Sequence, residues 1–214
     1  IDTFGEEFLD LSAMNGISFA SLNSEILHLM KRAGFRTVGL SYVSTDTSFK
    51  ERMGRPSSAF DFDRLFREAE ETGFHVTAYA IFGIPGQTIS EMVDTLIYLM
   101  GKRVLIGPSM YYPVPCTHLF EKCKMDNILP SHASQWRSSA LPIETLEFKR
   151  LDLVTLLRLA RLSNFIKKKM DCGELKEGVS WKELRQIVKE GKYSSDSSSW
   201  IDLVLLVLEE RLFF

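Results

Sequence analysis

The sequence predicts an α/β protein whose strands and helices alternate to form a parallel sheet or part of a barrel. Apolar segments with strand character alternate with amphipathic helical segments over the first half of the 214 residues. In addition, a glycine recurs at three helix-to-strand junctions, at Gly34, Gly73 and Gly101. Such alternation implies right-handed crossovers between parallel strands. The loops after these strands then open on one rim, and that rim carries the chemistry.

The spacing of apolar residues places each element in turn. The predicted order is strand 8–14 (ending at Asn15 and Gly16), helix 21–33, strand 37–43, helix 61–72, strand 76–82, helix 90–100 and strand 104–111. Gly34 and Gly73 are typical of left-handed helix ends that lead into a strand. Thr88 and Glu91 have the spacing of a capping box that opens the third helix.

For the second half of the chain, the sequence predicts helices only. Beyond Cys123 the alternation stops, and helices are expected at 144–170, 180–189 and 200–212, with a serine-rich linker at 194–199. We therefore expect residues 1–123 to form the α/β part and residues 124–214 to form a helical extension.

Composition and charge limit the classes of function. The 45% apolar and 25% charged fractions are typical of a soluble globular protein, and a net charge of -2 gives no argument for nucleic acid or membrane as a partner. No signal peptide or membrane span is recognisable. Three cysteines fit a reducing compartment, so we expect the cytoplasm. Because residue 1 is not a methionine, we also expect the chain to be an excerpt of a longer protein.

The segment 76–92 carries the clearest chemical signal. An apolar strand enters the turn Phe82-Gly83-Ile84-Pro85-Gly86-Gln87, and a capped helix follows. Glycine allows a sharp turn and the close approach of a ligand, and helix N-termini favour anionic groups. The turn therefore predicts a site for a small polar or anionic ligand, with a tight turn that binds nothing as the alternative.

Three segments, AGFRTVGLSYVS, TAYAIFGIPGQT and IGPSMYYPVPCT, resemble in order the later strands of radical S-adenosylmethionine (SAM) enzymes. The similarity is greatest to the group often fused to a cobalamin-binding domain, and it covers about residues 8–123. It implies an incomplete parallel (β/α) barrel of about four βα units with a C-terminal helical appendage. The implied cofactors of the complete enzyme are SAM, a 4Fe–4S cluster and, for that group, cobalamin.

The resemblance also implies which residues line the cofactor site. The residue after the first strand faces the barrel mouth, the serines of the second strand contact the ribose or carboxylate, and the turn after the third strand contacts the adenine. The tyrosine pair and the proline belong to the last strand. One tyrosine is expected in the core, and the other is expected to line the ligand site. These residues are Asn15, Ser41, Ser44, Ile81, Gly83, Pro85, Gly86, Tyr111, Tyr112 and Pro113.

Four features depart from the family pattern. Cys116 stands where the family has glycine, and Gln87 stands where it more often has glutamate. The strand at 37–43 lacks the acidic residue that many members have there, and no CxxxCxxC motif for the cluster occurs. The resemblance therefore implies a C-terminal part whose missing N-terminal part holds the cluster. Such a part is not competent alone, and no catalytic residue or metal ligand is assigned to it.

Two other functions stay open from the sequence. The chain could be a self-sufficient α/β module that binds a nucleotide at Gly83–Gln87 without doing chemistry. It could also be an association domain, because an incomplete barrel leaves strand edges unpaired and open to a second copy. Nothing in the sequence indicates a substrate.

Overall fold

A computed structural model describes residues 11–18, 21–54 and 59–173. The chain divides into two compact units, Ile1–Leu156 and Leu157–Phe214. The predicted elements at 180–189, 194–199 and 200–212 lie outside the described residues. The helices and strands are β1 (Leu11–Ile17), α1 (Ser24–Arg32), β2 (Phe35–Val43), α2 (Thr47–Arg52), α3 (Ala59–Glu71), β3 (His75–Phe82), α4 (Ile89–Met100), β4 (Leu105–Met110), α5 (His118–Met125) and α6 (Arg150–Asp171).

The four strands form one parallel sheet in the order β1-β2-β3-β4. The sheet curls into a half-barrel surrounded by helices, which confirms the predicted fold class. The register between β2 and β3 shifts between Ser41 and Val43, where β2 ends. Because the strands are parallel, their carboxyl ends and the turns that follow lie at one rim.

One face of the sheet is covered and the other is more open. Along β3, the side chains of Val76, Ala78, Ala80 and Phe82 are buried, while those that alternate with them are only partly buried. Helices α3 and α4 contact β3, and Tyr42 of β2 packs edge-on against Phe62 of α3. The alternation follows from the period of two in a strand, which sends neighbouring side chains to opposite faces.

The three glycine junctions are not equivalent. Gly34 and Gly73 have φ values of 100° and 79°, so the predicted left-handed helix ends are confirmed. Gly101 instead has φ -74°, and its N–H donates to the Ile97 carbonyl as in an ordinary helical turn. The third junction therefore ends a helix without needing the conformational freedom of glycine.

Two short helices are absent from the sequence prediction, and one predicted helix begins later than expected. Asp46 opens α2 and Thr117 opens α5, each with its side chain accepting from a backbone N–H three residues on. The predicted start of the long helix at 144 is wrong, because the Thr145 hydroxyl accepts from the Phe148 N–H at 3.3 Å and forms a turn there. Helix α6 begins at Arg150. Short capped helices and a side-chain turn carry too little periodicity to be recognised.

In the part of the chain that the structure describes, none of the helices is long and apolar enough to span a membrane.

Candidate functional site

The turn after β3 is held by one buried amide. Gly83 and Gly86 have φ values of 81° and 94°, in the left-handed region that favours glycine. The Gln87 side chain is 1% exposed. Its Oε1 accepts from the Ile84 N–H at 2.9 Å, and its Nε2 donates to the Ile81 carbonyl at 3.2 Å. An amide can both donate and accept, so a single side chain closes the turn from both directions.

Neighbouring elements fix the same turn on two further sides. The predicted capping box is confirmed: the Thr88 N–H donates to Glu91 Oε2 at 2.6 Å, and the Glu91 N–H donates to Thr88 Oγ1 at 3.2 Å. The buried Gly83 N–H donates to Met92 Sδ at 3.2 Å. A Cβ on Gly83 would lie 2.9 Å from Leu153 Cδ1. Position 83 favours glycine through its dihedral angle, and a larger residue there would also displace the Leu153 side chain.

The turn after β2 is strained. Val43 has φ 66°, and the Ser44 N–H donates to the Tyr42 carbonyl at 2.9 Å, which closes a three-residue turn. A three-residue turn with a positive central φ is rare, and such a conformation costs on the order of 1–3 kcal/mol. Strain of this kind persists only where the surroundings impose it, and it often marks a functional segment.

Asp46 follows this strained turn and caps the start of α2. Its carboxylate accepts from the Phe49 N–H. That hydrogen bond is the main reason why the pKa of Asp46 lies below its usual value, with a smaller contribution from the Ser48 hydroxyl. The carboxylate is therefore ionised at neutral pH and is committed to the helix cap.

An apolar cluster joins the two turns at the rim. Its three buried members come from the end of β2, from α2 and from the turn after β3. Four partly buried side chains from α2 and α5 and from the ends of β3 and β4 pack against them. The buried members are Val43, Phe49 and Ile84, and the others are Met53, Ile81, Tyr111 and Leu119.

The predicted serines and Asn15 have different settings. Ser41 is partly buried and pairs in register with Tyr79. Ser44 is fully buried, and its hydroxyl accepts from the Asp46 N–H at 3.1 Å, so the side chain is engaged within the protein. Asn15 lies inside β1, which continues to Ile17, rather than after the strand as the sequence predicted. The structure thus brings Ser41 and Ser44 to the rim, with only the Ser41 hydroxyl on the more open sheet face.

The two tyrosines differ in their packing. Tyr111 packs on the rim cluster with its hydroxyl 4.0 Å from the sulfur of Cys123. Burial, and to a smaller extent the nearby Cys123 thiol, raise the pKa of the Tyr111 hydroxyl. Tyr112 is 41% exposed and is free of this packing, whereas Pro113 is buried. Tyr112 is therefore the more exposed of the two tyrosines.

Cys116 retains the backbone conformation that glycine would provide. Its φ is 64°, although the side chain makes this conformation unfavourable by roughly 1–2 kcal/mol. The next residue, Thr117, caps α5 by accepting from the Phe120 N–H at 3.2 Å. The departure from the family pattern at position 116 therefore changes the side chain and leaves the left-handed turn in place.

Tyr79 is a site residue that sequence reasoning missed. Its ring lies on the more open face, where a Cβ on Gly39 or Gly107 would come within 2.8 Å and 2.5 Å of it, and a Cβ on Gly16 within 3.2 Å. The ring thus occupies space that glycines leave on three other strands. An aromatic residue between glycines on neighbouring strands was the available signal, but it becomes visible only when the register is known.

The cysteines do not fit a 4Fe–4S cluster. Cys123 is buried, whereas Cys116 and Cys172 are exposed. Within residues 11–18, 21–54 and 59–173, no three His, Cys, Asp or Glu side chains are grouped so that they could hold a metal ion. Since such a cluster needs several cysteine thiolates together, the described part of the chain does not provide its ligands.

The rim combines open backbone with apolar and hydroxyl side chains. A Cβ on Gly86 would meet no atom within 4 Å, so the backbone of the turn is open to an approaching ligand. Ile81 and Tyr111 supply an apolar wall next to it, and Ser41 and Ser109 supply hydroxyls on the more open face. Apolar surface with a few placed polar groups is typical of a small-molecule site.

Residues 13–99 match the profile of the radical SAM superfamily. A comparison with curated proteins finds no match. Among solved structures, the chain is similar to coproporphyrinogen III oxidase (HemN) from Escherichia coli, a radical SAM enzyme, with 16% identity and a TM-score of 0.48 over 65% of this chain and 29% of that one.

A second similar structure is the radical SAM methyltransferase TsrM from Kitasatospora setae, with cobalamin and a 4Fe–4S cluster bound. It is 21% identical, with a TM-score of 0.46 over 54% of this chain and 24% of that one. This chain therefore spans less than a third of either structure. The profile match over residues 13–99 confirms the resemblance to the radical SAM superfamily found at the strand ends.

Proposed function

We propose that this chain supplies the adenine and ribose side of the SAM site in a radical SAM enzyme. The observation that carries the proposal is the coincidence of two findings. The superfamily match ends within α4, and the strand ends inside that match carry the two constrained turns and the apolar cluster that joins them. Constrained backbone at the carboxyl rim of a parallel sheet is the usual position of a ligand site in this architecture.

The rim residues would hold the cofactor rather than react with it. Ile81 would lie against the adenine, the open backbone at Pro85 and Gly86 would let the ring approach, and Ser41 would bond the ribose or carboxylate. Tyr112 would close the outer side of the cofactor site. SAM supplies the radical chemistry when it is bound, and these residues bind, orient and shield it from water. We assign no catalytic residue to this chain.

The remaining parts of the enzyme would lie outside this sequence. The sequence has no CxxxCxxC motif. We propose that an N-terminal part supplies the cluster ligands and the opposite wall of the cofactor site, and that this chain alone is not competent. The resemblance to the cobalamin-associated group further supports cobalamin as a cofactor of the complete protein. The sparse cysteines favour the cytoplasm as its location.

Binding of SAM by the complete protein tests the proposal. We expect calorimetry to show that SAM binds more tightly than ATP. Ile81→Gln should weaken SAM binding by about tenfold, because it places a polar amide in the apolar wall. Ile97→Gln is the matched control, since Ile97 is 59% exposed on α4, and SAM binding should stay unchanged.

Two outcomes would contradict the proposal. Equal affinity for SAM and ATP would favour the alternative of a general nucleotide-binding module. An absence of SAM binding by the complete protein would exclude a SAM site at this rim.

A further inference from the structure

Thr95 on α4 contacts the strained turn after β2 through a single buried hydroxyl. Its Oγ1 accepts from the Thr45 N–H at 3.0 Å, and it lies 3.2 Å from Thr45 Oγ1 and 3.4 Å from Ser44 Oγ. It also donates to the Glu91 carbonyl, at 2.9 Å. The side chain is 1% exposed. A hydroxyl has one proton and two lone pairs, so these contacts use its full bonding capacity.

The same helix holds the turn after β3. Met92 lies one helical turn before Thr95, and its sulfur accepts from the Gly83 N–H. The capping box at Thr88 and Glu91 fixes the start of α4 directly after that turn. One face of α4 therefore contacts both rim turns, one through a thioether and the other through a hydroxyl.

The strain at Val43 gives the Thr95 contact a mechanical role. A β-branched residue with φ 66° tends to return to an extended conformation unless its neighbours prevent it. Val43 packs in the apolar rim cluster on one side of the turn, and Thr95 anchors the Thr45 N–H on the other. Without that anchor, the turn is free to relax and carry Val43 out of the wall against which Ile81 packs.

We propose that Thr95 is a positioning residue, which fixes the β2 turn relative to the β3 turn so that both present one preformed wall to the cofactor. This inference rests on the proposed SAM site, and it assigns no direct ligand contact to Thr95. Preformed sites owe their affinity to supporting contacts of this kind, because ordering the site then costs nothing on binding.

The test compares four variants of the complete protein by calorimetry with SAM and by hydrogen exchange. Thr95→Val keeps the shape and removes the hydroxyl, whereas Thr95→Ser keeps the hydroxyl. Thr155→Val is the matched control, because the Thr155 hydroxyl makes the same bond to a carbonyl four residues earlier, at 2.9 Å in α6. Thr45→Val removes a hydroxyl partner from the turn side and leaves α4 intact should Thr95→Val not fold.

We expect Thr95→Val to bind SAM about tenfold more weakly and to exchange the Thr45 amide faster, because that N–H loses its acceptor. Thr45→Val should weaken SAM binding less, and Thr95→Ser and Thr155→Val should bind SAM like the wild type.

Wild-type affinity in Thr95→Val overturns the inference alone, as does a Thr95→Ser variant as weak as Thr95→Val. If Thr95→Val does not fold, wild-type affinity in Thr45→Val overturns it instead. If the wild-type protein binds no SAM, the proposed function fails, and this inference fails with it.

Discussion

Tyr79 shows how a single side chain constrains the composition of the neighbouring strands. It pairs with Ser41 on one side and with Gly107 on the other. The ring extends over Gly39 and Gly107, so neither position can carry a side chain without displacing the ring. A glycine inside a strand usually weakens it, and here the loss is offset by the burial of an aromatic ring.

Gly107→Ala should destabilise the protein by about 1–3 kcal/mol, because its Cβ would lie 2.5 Å from Tyr79 Cδ1 and 2.7 Å from Tyr79 Cε1. The opposite edge of the ring faces Gly39, where a Cβ would lie 2.8 Å from Tyr79 Cε2. Urea unfolding measures the loss. In a Tyr79→Ala background the cost of Gly107→Ala should largely disappear, which a double-mutant cycle detects.

Gly101→Ala is the control for this substitution. Gly101 has φ -74°, and the nearest atom to its Cβ would be the Tyr98 carbonyl oxygen at 3.6 Å. We expect a change within about 0.5 kcal/mol. Equal losses at positions 101 and 107, or a loss at 107 that persists without the Tyr79 ring, would contradict the assignment.

At the scale of elements, a polar bridge ties α3 to the end of α4. The Tyr98 hydroxyl donates to Asp63 Oδ1 at 2.6 Å, and Lys102 Nζ lies 2.8 Å from the same oxygen. Burial alone raises the pKa of Asp63, but the hydrogen bonds from Lys102 and Tyr98 outweigh it and leave the pKa below its usual value. Burial and the hydrogen bond to Asp63 raise the pKa of Tyr98 well above its usual value, so its hydroxyl remains a donor.

This bridge predicts a pH dependence of stability. Because the folded-state pKa of Asp63 is lowered, its contribution is fully present above the ordinary aspartate value of about 3.9 and is lost as pH falls through the lowered value. The contribution should be less than about 1 kcal/mol, since the pair is partly exposed. Urea unfolding at pH 7 and pH 3 should show a smaller acid loss for Asp63→Asn than for the wild type.

Asp94→Asn serves as the control for the bridge, because Asp94 is exposed on α4. This variant should keep the acid loss of the wild type. The interpretation of the bridge is wrong if Asp63→Asn and Asp94→Asn lose the same stability between pH 7 and pH 3.

For the whole molecule, the fold was predictable where local patterns agree with tertiary packing. The apolar segment 76–82 before a glycine turn identified β3, and Thr88 with Glu91 marked the start of α4. Helix α2 escaped because its six residues contain too few apolar positions to show a period. Its start depends on Asp46, whose carboxylate caps the helix through a hydrogen bond that apolar periodicity does not reveal.

The site was predictable only in part, because its contacts depend on the register between strands. The resemblance indicated Ile81 and Tyr111, and both pack on the rim cluster. It could not indicate Thr95 or Tyr79, whose partners lie 50 residues away in the chain or on neighbouring strands. Nor could the sequence foresee that the Ser44 hydroxyl turns inward.

The order of the sheet leads to the last prediction, which concerns its two ends. Among the described strands, β1 and β4 each have a neighbour on one side only. Pro108 lies in the middle of β4 and has no N–H to donate, so that edge is poorly suited to receive another strand. No proline interrupts β1. An unpaired strand edge promotes association with a second chain, and we therefore expect self-association through β1 when this chain is studied alone.

Analytical ultracentrifugation over a range of concentrations measures this association. Ser12→Lys, at an exposed position of β1, should shift the chain toward the monomer, because a lysine on an edge strand opposes pairing with another strand. Leu105→Lys, at an exposed position of β4, is the matched substitution at the opposite edge and should leave association unchanged. A purely monomeric wild-type chain, or equal effects of the two lysines, would show that β1 is not the associating edge. Adding the proposed N-terminal part should suppress association in the same way as Ser12→Lys, since it would occupy the edge that the second copy uses.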